Sequence, residues 1–477
     1  MARARDGRGA AWAWVALGAC GSVLVALAGT ELAGVGFWFH LRIGRTEAEW
    51  MHYAGLALMC AAWLGLGLCL RALSGRRLWA IGVLWALPAL FGPVLFSQDV
   101  YSYIAQGDLL RLGLNPYKVV PAVLAHHGQR HVLGAVAPFW QHTTAPYGPL
   151  FLALVSPISS LANDHGVLAA LVVKVLDAFG LVLLGVFVPR LARAVGSDPR
   201  RAAWLAVLSP LVLLQVVAAG HNDGLMAGLM VAGVVLAVEG RTIPAVALCA
   251  LAAMIKLPAA AACPFIAVAA ARSEPDVRAQ VQLLVRALAA FVAVLVVVSA
   301  ATTVGTEWLT TGVFSTPSMV RLALTPAVAL GYTTASLLHD LGVSAQAHSV
   351  ESGFEAAAGV IVILLALVLL RRVRRPTLVR DLGLVLLAAA IGGPAAWPWY
   401  LIWGLALLAT WPAAQRSLWM MAVVTVPVFL IRPGGIALPP RPWSPIVLGV
   451  YAVLVLSAWL LWRRRRGGAR RAVPALT

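Results

Sequence analysis

Apolar runs of about 20 residues recur along the whole 477-residue chain, and this repetition restricts the possible folds more than any single motif does. A helix of that length spans the hydrocarbon core of a bilayer. Within the bilayer a spanning segment has to satisfy its own backbone hydrogen bonds, which an α-helix does. The pattern therefore predicts an all-α polytopic membrane protein.

The distribution of charge supports a membrane protein and argues against a nucleic-acid-binding one. Charged residues make up 11% of the chain and the net charge is +18, whereas soluble proteins carry about 25% charged residues. The basic residues form short runs between apolar segments, where such residues set topology. "RRVRR" (371–375) and "WRRRRGGARR" (462–471) directly follow apolar runs. We therefore expect contact with membrane lipid and none with nucleic acid.

We predict roughly twelve to fourteen crossings that form one transmembrane domain over residues 1–462, followed by a basic cytoplasmic tail over 463–477. Residues 243–271 are predicted to form two short helices, because Lys256 and Pro258 interrupt their middle and proline ends or kinks a helix. The other predicted spans are 12–33, 51–70, 78–96, 166–189, 202–219, 224–239, 287–304, 354–370, 380–396, 399–412, 417–431 and 444–462.

The positions of the arginines predict which loops face which side of the membrane. Basic loops face the cytoplasm. The basic clusters at 71–77, 190–201, 272–286 and 371–375 and the terminal arginine run meet this rule if both termini are cytoplasmic and the long loop 97–165 is extracytoplasmic. The apolar stretch 147–162 is then a re-entrant or interfacial element and not a span. We expect a multi-pass protein of the plasma membrane, with its unusual polar and aromatic residues on the outer face.

Asp99 is the first candidate for chemistry, because it follows an apolar run at the predicted outer boundary in "FSQDVYSYIAQGD". Partial burial there would raise the pKa of its carboxyl toward the range of a general base. Tyr101 and Tyr103 follow on a helix predicted over 99–112 along the membrane surface. The alternatives are a helix cap for Asp99 and interfacial aromatic residues for the two tyrosines.

Two further segments place polar residues at the same predicted face. "FWQHTTAPYGPL" (139–150) contains His142 and Tyr147 between prolines, and such an aromatic loop is suited to covering a cavity. "AAGHNDGLMAG" (218–228) places His221, Asn222 and Asp223 before a helix, whose N-terminus attracts anions. Capping of that helix explains Asn222 or Asp223 but leaves His221 unexplained, so we predict a phosphate or sugar site.

Lys256 is the most unusual single residue, since a lysine at membrane depth is costly without a partner. A lipid phosphate is one possible partner, and an internal ion pair is the alternative. Arg321 is a second candidate for the phosphate.

Lys174 and Asp177 are three apart within one span, and we predict that they neutralise each other as a structural pair. An aromatic cluster surrounds Pro398 and is either an interfacial belt or a stacking wall for sugar rings: Trp397, Trp399 and Tyr400.

Several classes of protein are excluded by missing signals. No Walker, HExxH, GxSxG or GxGxxG-helix motif is present, and no soluble domain exists to hold a nucleotide. The five cysteines lie within apolar segments and contain no CxxC pair, so neither a disulfide framework nor a zinc site is expected. Any activated donor therefore has to arrive in the membrane.

Five blocks of the sequence, in this order, resemble one known family. They are "SQDVYSYIAQGDLLRLGLNPY", "PFWQHTTAPYGPLFLAL", "SPLVLLQVVAAGHNDGLMAG", "ALAAMIKLPAA" and "WPWYLIWGLALL". They are similar to blocks of the actinobacterial polyprenol-phosphomannose-dependent α-1,6-mannosyltransferases of the MptB type, which have the GT-C glycosyltransferase fold. The resemblance extends from about residue 78 to residue 430, without the first span or the arginine-rich tail.

The resemblance implies a GT-C-like bundle whose extracytoplasmic loops form the active site. It implies transfer of mannose from polyprenyl-phosphate-mannose to a lipid-anchored α-1,6-mannan, as in lipomannan or lipoarabinomannan, with inversion. Asp99 matches the acidic residue that begins the first large loop of these enzymes. Many of them have two acidic residues there, whereas this chain has "QDV", which puts metal binding in doubt. We expect a metal-independent enzyme without a cofactor.

The site predicted in this way has three parts. Asp99 is the general base. The phosphate and lipid of the donor contact some of His221, Asn222, Lys256 and Arg321. The sugars contact Tyr101, Tyr103, His142, Tyr147, Asp223, Trp397, Trp399 and Tyr400. The alternative function is a flippase or permease for a lipid-linked sugar, which would use the same outer cavity without forming a bond.

Overall fold

The computed structural model describes residues 2–163, 165–310, 320–344, 346–415 and 417–471. Within these ranges the secondary structure is helical, and one isolated β-bridge joins Ile431 to Ala437. The prediction of an all-α polytopic membrane protein is confirmed. All five cysteines are free thiols, as their positions had suggested.

The helices of the first half are α1 (Ala2–Leu32), α2 (Arg45–Cys69), α3 (Gly75–Phe91), α4 (Asp99–Arg111), α5 (Arg130–Ala135), α6 (Pro138–Gln141), α7 (Pro149–Ser159), α8 (Gly166–Ala194), α9 (Pro199–Ala206), α10 (Pro210–Val212, followed by a π-helical turn Leu213–Ala218) and α11 (Asp223–Val238). Those of the second half are α12 (Thr242–Ala253), α13 (Ala262–Ala271), α14 (Val277–Ala301), α15 (Pro326–Asp340), α16 (Ala347–Leu370), α17 (Leu378–Gly392), α18 (Leu401–Leu408), α19 (Leu418–Thr425) and α20 (Ser444–Arg471).

In the described residues, five helical segments are long and apolar enough to cross a membrane unbroken, and six if a pair bent by 44° counts as one. The five are Ala11–Leu32, Arg45–Ala72, Gly166–Ala194, Val277–Ala301 and Ala347–Leu370, and the bent pair is Pro199–Ala206 with Pro210–Ala218. Most of the other predicted spans are shorter helices or are interrupted by breaks. The span predicted over 78–96, for example, ends at Phe91, because Gly92 and Pro93 follow.

Small residues allow the helices that carry the site to approach each other closely. Gly180 of α8 lies against Gly224 of α11, where a β-carbon would overlap the backbone of Gly224. A β-carbon on Gly404 of α18 would come within 2.6 Å of the carbonyl oxygen of Gly383 in α17. Such contacts are typical of helices packed within membranes, where small residues let backbones meet. They fix α8 to α11 and α17 to α18.

Helix α4 forms where the sequence predicts it, and nearly all of its residues are buried within the protein. Gly107 packs against the backbone of Val155 and Ser156, so α7 covers one side of α4. The sequence does not reveal this packing of the apolar stretch 147–162 on α4, and the position of α4 along the membrane surface stays a prediction.

The carboxyl-terminal helix continues into the predicted basic tail. The sequence places the end of the last span at residue 462 and a basic tail after it, whereas α20 continues to Arg471. The remaining six tail residues, 472–477, lie outside the described residues, as do most residues of the stretch 312–321 that leads to Arg321.

Candidate active site

The segment between α3 and α4 is held from three sides, and this fixes the position of Asp99. The amide of Leu95 donates to the carbonyl of Ala218 (3.2 Å), and that of Phe96 donates to Pro433 (2.7 Å). Phe96 has a φ of 65°, a left-handed conformation that is rare for a bulky side chain. Strained backbone of this kind persists only where its surroundings impose it, and it clusters at functional sites.

Lys174 of α8 supplies the third attachment. Its ammonium donates to the carbonyl oxygens of Ala89 and Gly92 (both 2.8 Å) and of Pro93 (3.4 Å). These carbonyls belong to the end of α3 and the two residues after it, where a helix leaves acceptors unpaired. The predicted pair between Lys174 and Asp177 is therefore wrong. Both carboxylate oxygens of Asp177 are buried without a hydrogen-bond partner among the described residues.

Asp99 is the first residue of α4 and opens into a cavity of about 570 Å³. Its amide donates to the Ser97 hydroxyl (3.1 Å), and the residue is 8% exposed. Burial raises the pKa of the Asp99 carboxyl to about 6, against the opposing effects of the Lys256 ammonium and of hydrogen bonds from Ser97 and Trp140. A carboxyl that ionises in this range can act as a general base near neutral pH.

The cavity has one polar corner and mostly apolar walls. The polar corner contains Asp99 and Lys256. Aromatic rings enclose much of the space: Trp140, Tyr147, Trp397, Trp399, Tyr400 and Trp403. Aliphatic residues of the α12–α13 connection and of α17 form another wall: Pro258, Ala260, Ala261, Val385, Leu386 and Ala389. This combination could accommodate sugar rings beside an apolar chain.

Lys256 lies in the break between α12 and α13, as its sequence setting predicts. Its backbone is extended, and a 3₁₀ turn over Leu257–Ala261 follows before α13. The ammonium forms an ion pair with Asp223 (2.7 Å) and lies 4.8 Å from the centre of the Tyr400 ring. The second Asp223 oxygen accepts a hydrogen bond from the Trp403 indole (2.5 Å). Asp223 thus orients Lys256 from behind, while Lys256 itself lines the cavity.

His221 is enclosed behind the aromatic wall and does not line the cavity. Its ring stacks on Trp399 with the ring centres 3.9 Å apart, and its Nδ1 lies 2.9 Å from the carbonyl oxygen of Gln215. Burial lowers the pKa of His221 well below its usual range, and the Lys256 charge lowers it further. The neutral ring therefore donates from Nδ1 to Gln215. Its Nε2 lies 3.8 Å from Asp99, which is too long for a hydrogen bond.

The turn over His221–Asp223 also departs from the capping alternative. Asn222 is the N-cap residue of α11 by position, yet its side chain makes no capping hydrogen bond. Both polar atoms of that side chain are buried without a partner among the described residues. Asp223 is engaged by Lys256 and Trp403 and caps nothing. Neither the Asn222 carboxamide nor the Asp223 carboxylate therefore makes a hydrogen bond to the amides at the start of α11.

The structure brings some of the predicted site residues to the cavity and places others elsewhere. Asp99, Tyr147, Lys256, Trp397, Trp399 and Tyr400 line it. Tyr103 is buried behind Tyr147, with the ring centres 4.7 Å apart, and His142 is exposed outside the cavity. Tyr101 borders a small separate crevice beside Lys174.

Arg321 is held away from Lys256 by acidic partners. It forms ion pairs with Glu355 (2.6 Å) and Glu351 (3.3 Å), and Glu351 is also paired with Arg441. Only its neighbour Val320 lines the cavity. The structure therefore separates the four predicted phosphate contacts: Lys256 lines the cavity, and His221, Asn222 and Arg321 do not.

Sequence reasoning left several cavity residues out of the predicted site. The aliphatic residues on α17 lay in an apolar run without any distinguishing mark. Ser97 and Trp140 had a signal, since both lie in the blocks that carry the family resemblance. In the part of the chain that the structure describes, no three His, Cys, Asp or Glu side chains are grouped as a metal site.

Comparison with known proteins extends the resemblance beyond residues 78–430. Residues 9–272 match a family model described as alpha-(1->6)-mannopyranosyltransferase, N-terminal domain. Residues 325–462 match a model described as MptB C-terminal domain. The first helix and much of α20, which the sequence analysis left out of the resemblance, therefore belong to the matched regions.

Three curated relatives show how similar the chain is to named proteins. It is 32% identical to alpha-(1->6)-mannopyranosyltransferase A of Mycobacterium tuberculosis, over 92% of this chain and 86% of the relative. It is 34% identical to a probable alpha-(1->6)-mannopyranosyltransferase of Mycolicibacterium smegmatis, over 77% and 71%. It is 28% identical to alpha-(1->6)-mannopyranosyltransferase B of Corynebacterium glutamicum, over 80% and 67%. No solved structure matches the chain significantly.

Proposed function

The chain belongs to the alpha-(1->6)-mannopyranosyltransferase family, and from this premise we propose that it transfers mannose from a polyprenyl-phosphate-mannose donor to an α-1,6-mannan acceptor. The acceptor is a lipid-anchored mannan of the lipomannan or lipoarabinomannan kind. Asp99 is the general base, and the fold is of the GT-C class. The observation that carries the proposal is one buried carboxyl and one ammonium in the same aromatic-lined cavity.

Asp99 suits the acceptor side of the reaction. A general base has to approach the hydroxyl whose proton it removes, and its pKa has to lie near the working pH. Asp99 lines the cavity and its pKa is raised to about 6. Above that pH the carboxylate is available to the acceptor hydroxyl.

Lys256 suits the donor side of the reaction. It is the basic member of the cavity wall, and Asp223 and Trp403 hold it in place from the protein interior. The apolar wall of Pro258, Ala260 and Leu386 starts beside it. A lipid phosphate at Lys256 could therefore direct its isoprenoid chain along that wall toward the bilayer.

The proposed step is a direct displacement. The acceptor oxygen forms a bond to the anomeric carbon of mannose, and its proton moves to Asp99. The bond between that carbon and the phosphate oxygen breaks, and its electron pair stays on the phosphate. A β-linked donor thus gives an α-linked product. Lys256 offsets the charge that develops on the departing phosphate, which is electrostatic transition-state stabilisation.

Three further features complete the proposal. Trp397, which is partly exposed and lines the cavity, provides a ring face on which a mannose residue stacks. No metal or cofactor takes part, because the lysine supplies the positive charge that the phosphate requires. The site faces the extracytoplasmic side of the plasma membrane, and both termini lie in the cytoplasm, which follows from the distribution of basic loops.

Asp99→Asn tests the base directly. We expect kcat to fall by about 10²–10⁴-fold, the usual contribution of general base catalysis. The assay uses full-length purified protein, polyprenyl-phosphate-mannose and an oligomannoside, and measures the new linkage. Asp108→Asn is the matched control, because Asp108 is a buried carboxylate on the same helix that pairs with Arg111 (2.7 Å) outside the cavity.

The results separate the enzyme from the transporter alternative. An active Asp99→Asn variant would remove Asp99 as the base. Movement of the lipid-linked sugar across a vesicle membrane without any new glycosidic bond would replace the whole proposal by a flippase or permease.

A further inference from the structure

A second large cavity lies along α3 and α8, away from Asp99. It has a volume of about 640 Å³. It extends from Gly75 to Leu90 on α3 and from Arg193 to Ala178 on α8. The fifteen steps between the first and last of these helical residues rise by about 22 Å, which is close to the length of one fatty-acyl chain and crosses much of a bilayer core.

The cavity is a groove with a buried floor and exposed sides. The sides include Val83, Leu87 and Val186, which are between 42% and 49% exposed. The floor includes Val207 and Leu208, which are buried. Helix α8 is long and apolar enough to cross a membrane, and apolar residues exposed along such a helix face lipid in a bilayer.

Two arginines lie at one end of the groove, and their guanidinium groups make few or no hydrogen bonds within the described residues. Arg193 is exposed, and its guanidinium has no hydrogen-bond or ion-pair partner among the described residues. The Arg200 guanidinium makes only long contacts with the carbonyl oxygens of Arg71 (3.5 Å) and Leu73 (3.4 Å). Asp198, the nearby acid, accepts from the backbone amide of Arg200. Arg190, by contrast, is paired with Glu239 through two hydrogen bonds of 2.7 and 2.8 Å.

We propose that this groove is a binding site for an anionic glycerophospholipid of the surrounding bilayer. One acyl chain lies along the apolar floor, and the phosphate contacts Arg193 and Arg200. Basic pockets between transmembrane helices are suited to anionic headgroups. This site is distinct from the cavity at Asp99 and does not depend on mannosyl transfer.

The position of the arginines argues against the glycosyl donor as the occupant. They lie at the Gly75 end of α3, whereas Asp99 follows the Phe91 end. The length of this 17-residue helix, about 25 Å, separates the two ends. A phosphate held at Arg193 is therefore out of reach of the proposed base.

Native mass spectrometry of the full-length protein tests the site, after delipidation and exposure to phosphatidylglycerol or phosphatidylcholine. We expect the wild type to retain phosphatidylglycerol in preference to phosphatidylcholine. Arg193→Gln with Arg200→Gln should weaken that preference by roughly fivefold for each arginine removed. Arg190→Gln is the matched control and should retain the wild-type preference, since its charge is already neutralised by Glu239.

A second variant tests the groove without removing charge. A β-carbon on Gly82 would meet only Leu208, at 3.5 Å and more, so Gly82→Leu fills the groove without a backbone clash. It should reduce retention of phosphatidylglycerol more than tenfold while the protein elutes as a folded species. Gly185 is unsuitable, because a β-carbon there would overlap the Trp79 ring.

Three outcomes would overturn the proposal. The first is equal retention of the two lipids by the wild type. The second is a loss in Arg190→Gln as large as that in the double variant. The third is selective retention of a polyprenyl phosphate with no binding of phosphatidylglycerol, which would assign the groove to a different lipid.

Discussion

Two lysines lie in apolar stretches of this chain, and their surroundings differ in a way that separates scaffold from site. Lys174 is fully enclosed, and its ammonium is occupied by three backbone carbonyls near the end of α3. Lys256 has one carboxylate partner and aromatic neighbours, and it lines the cavity. The Lys174 ammonium donates its hydrogen bonds to backbone carbonyls and therefore stabilises the fold. The Lys256 ammonium faces a cavity and can therefore bind an anion.

The largest expected effect concerns the lysine at the cavity. Lys256→Met should lower kcat/KM by about 10²–10³-fold, which is typical for loss of one group that stabilises developing charge. The measurement is mannosyl transfer from purified lipid donor. Because the substitution leaves Asp223 buried and unpaired, the double variant with Asp223→Asn should recover thermal stability without recovering activity. Recovered activity in the double variant would contradict the role of Lys256.

The enclosed lysine should show the opposite pattern. Lys174→Met leaves three buried carbonyls without their donor, and each loss of this kind costs about 1–3 kcal/mol. We expect an overall loss of at least about 3 kcal/mol, read as a lower midpoint of thermal unfolding in detergent. Activity per folded molecule should fall less than in Lys256→Met. A fully stable Lys174→Met protein would refute the scaffold role.

Asp99 lies in the candidate site, and ionisation of its buried carboxyl should lower the stability of the folded protein. The pKa of its carboxyl is raised from 3.8 to about 6, so the folded protein keeps a proton that the unfolded chain releases in this range. Stability from this group is complete below pH 3.8 and is lost as the pH rises to about 6. At pH 7.5, Asp99→Asn should therefore be more stable than the wild type by up to about 3 kcal/mol. The difference should disappear at pH 3.5.

The smallest effect is expected at Asp177. Its carboxylate has no hydrogen-bond partner among the described residues, so Asp177→Asn removes no observed contact. We expect unfolding stability to stay the same or to rise by up to about 1 kcal/mol. If Asp177 were instead neutralising Lys174, the substitution would cost about 3–5 kcal/mol, as breaking a buried ion pair does. Thermal unfolding of the two proteins at neutral pH distinguishes the alternatives.

Features that depend on local sequence could be predicted. The start of α4 at Asp99 and the break at Lys256 follow from short stretches in which glycine and proline disturb an apolar run. The membrane class follows from composition, which needs no knowledge of contacts. The predicted spans were less accurate at their ends, where Gly92 and Pro93 shorten the third one.

Partners from distant segments could not be predicted. Lys174 binds backbone that lies more than 80 residues earlier in the chain, and Asp223 meets Trp403 across 180 residues. Nothing in the sequence near Lys174 favours these carbonyls over Asp177, three residues away. Arg321 likewise seemed available for phosphate until α16 placed Glu351 and Glu355 beside it.

The start of α7 is attached directly to the turn that carries Lys256. The amide of Gly148 donates to the carbonyl of Ile255 (2.9 Å), and that of Leu150 donates to Met254 (3.0 Å). A β-carbon on Gly148 would overlap the Met254 carbonyl, so this joint depends on glycine. Tyr147 and Lys256 are the direct chain neighbours of Gly148 and Ile255, so a displacement of the backbone at one of them strains the hydrogen bonds that position the other.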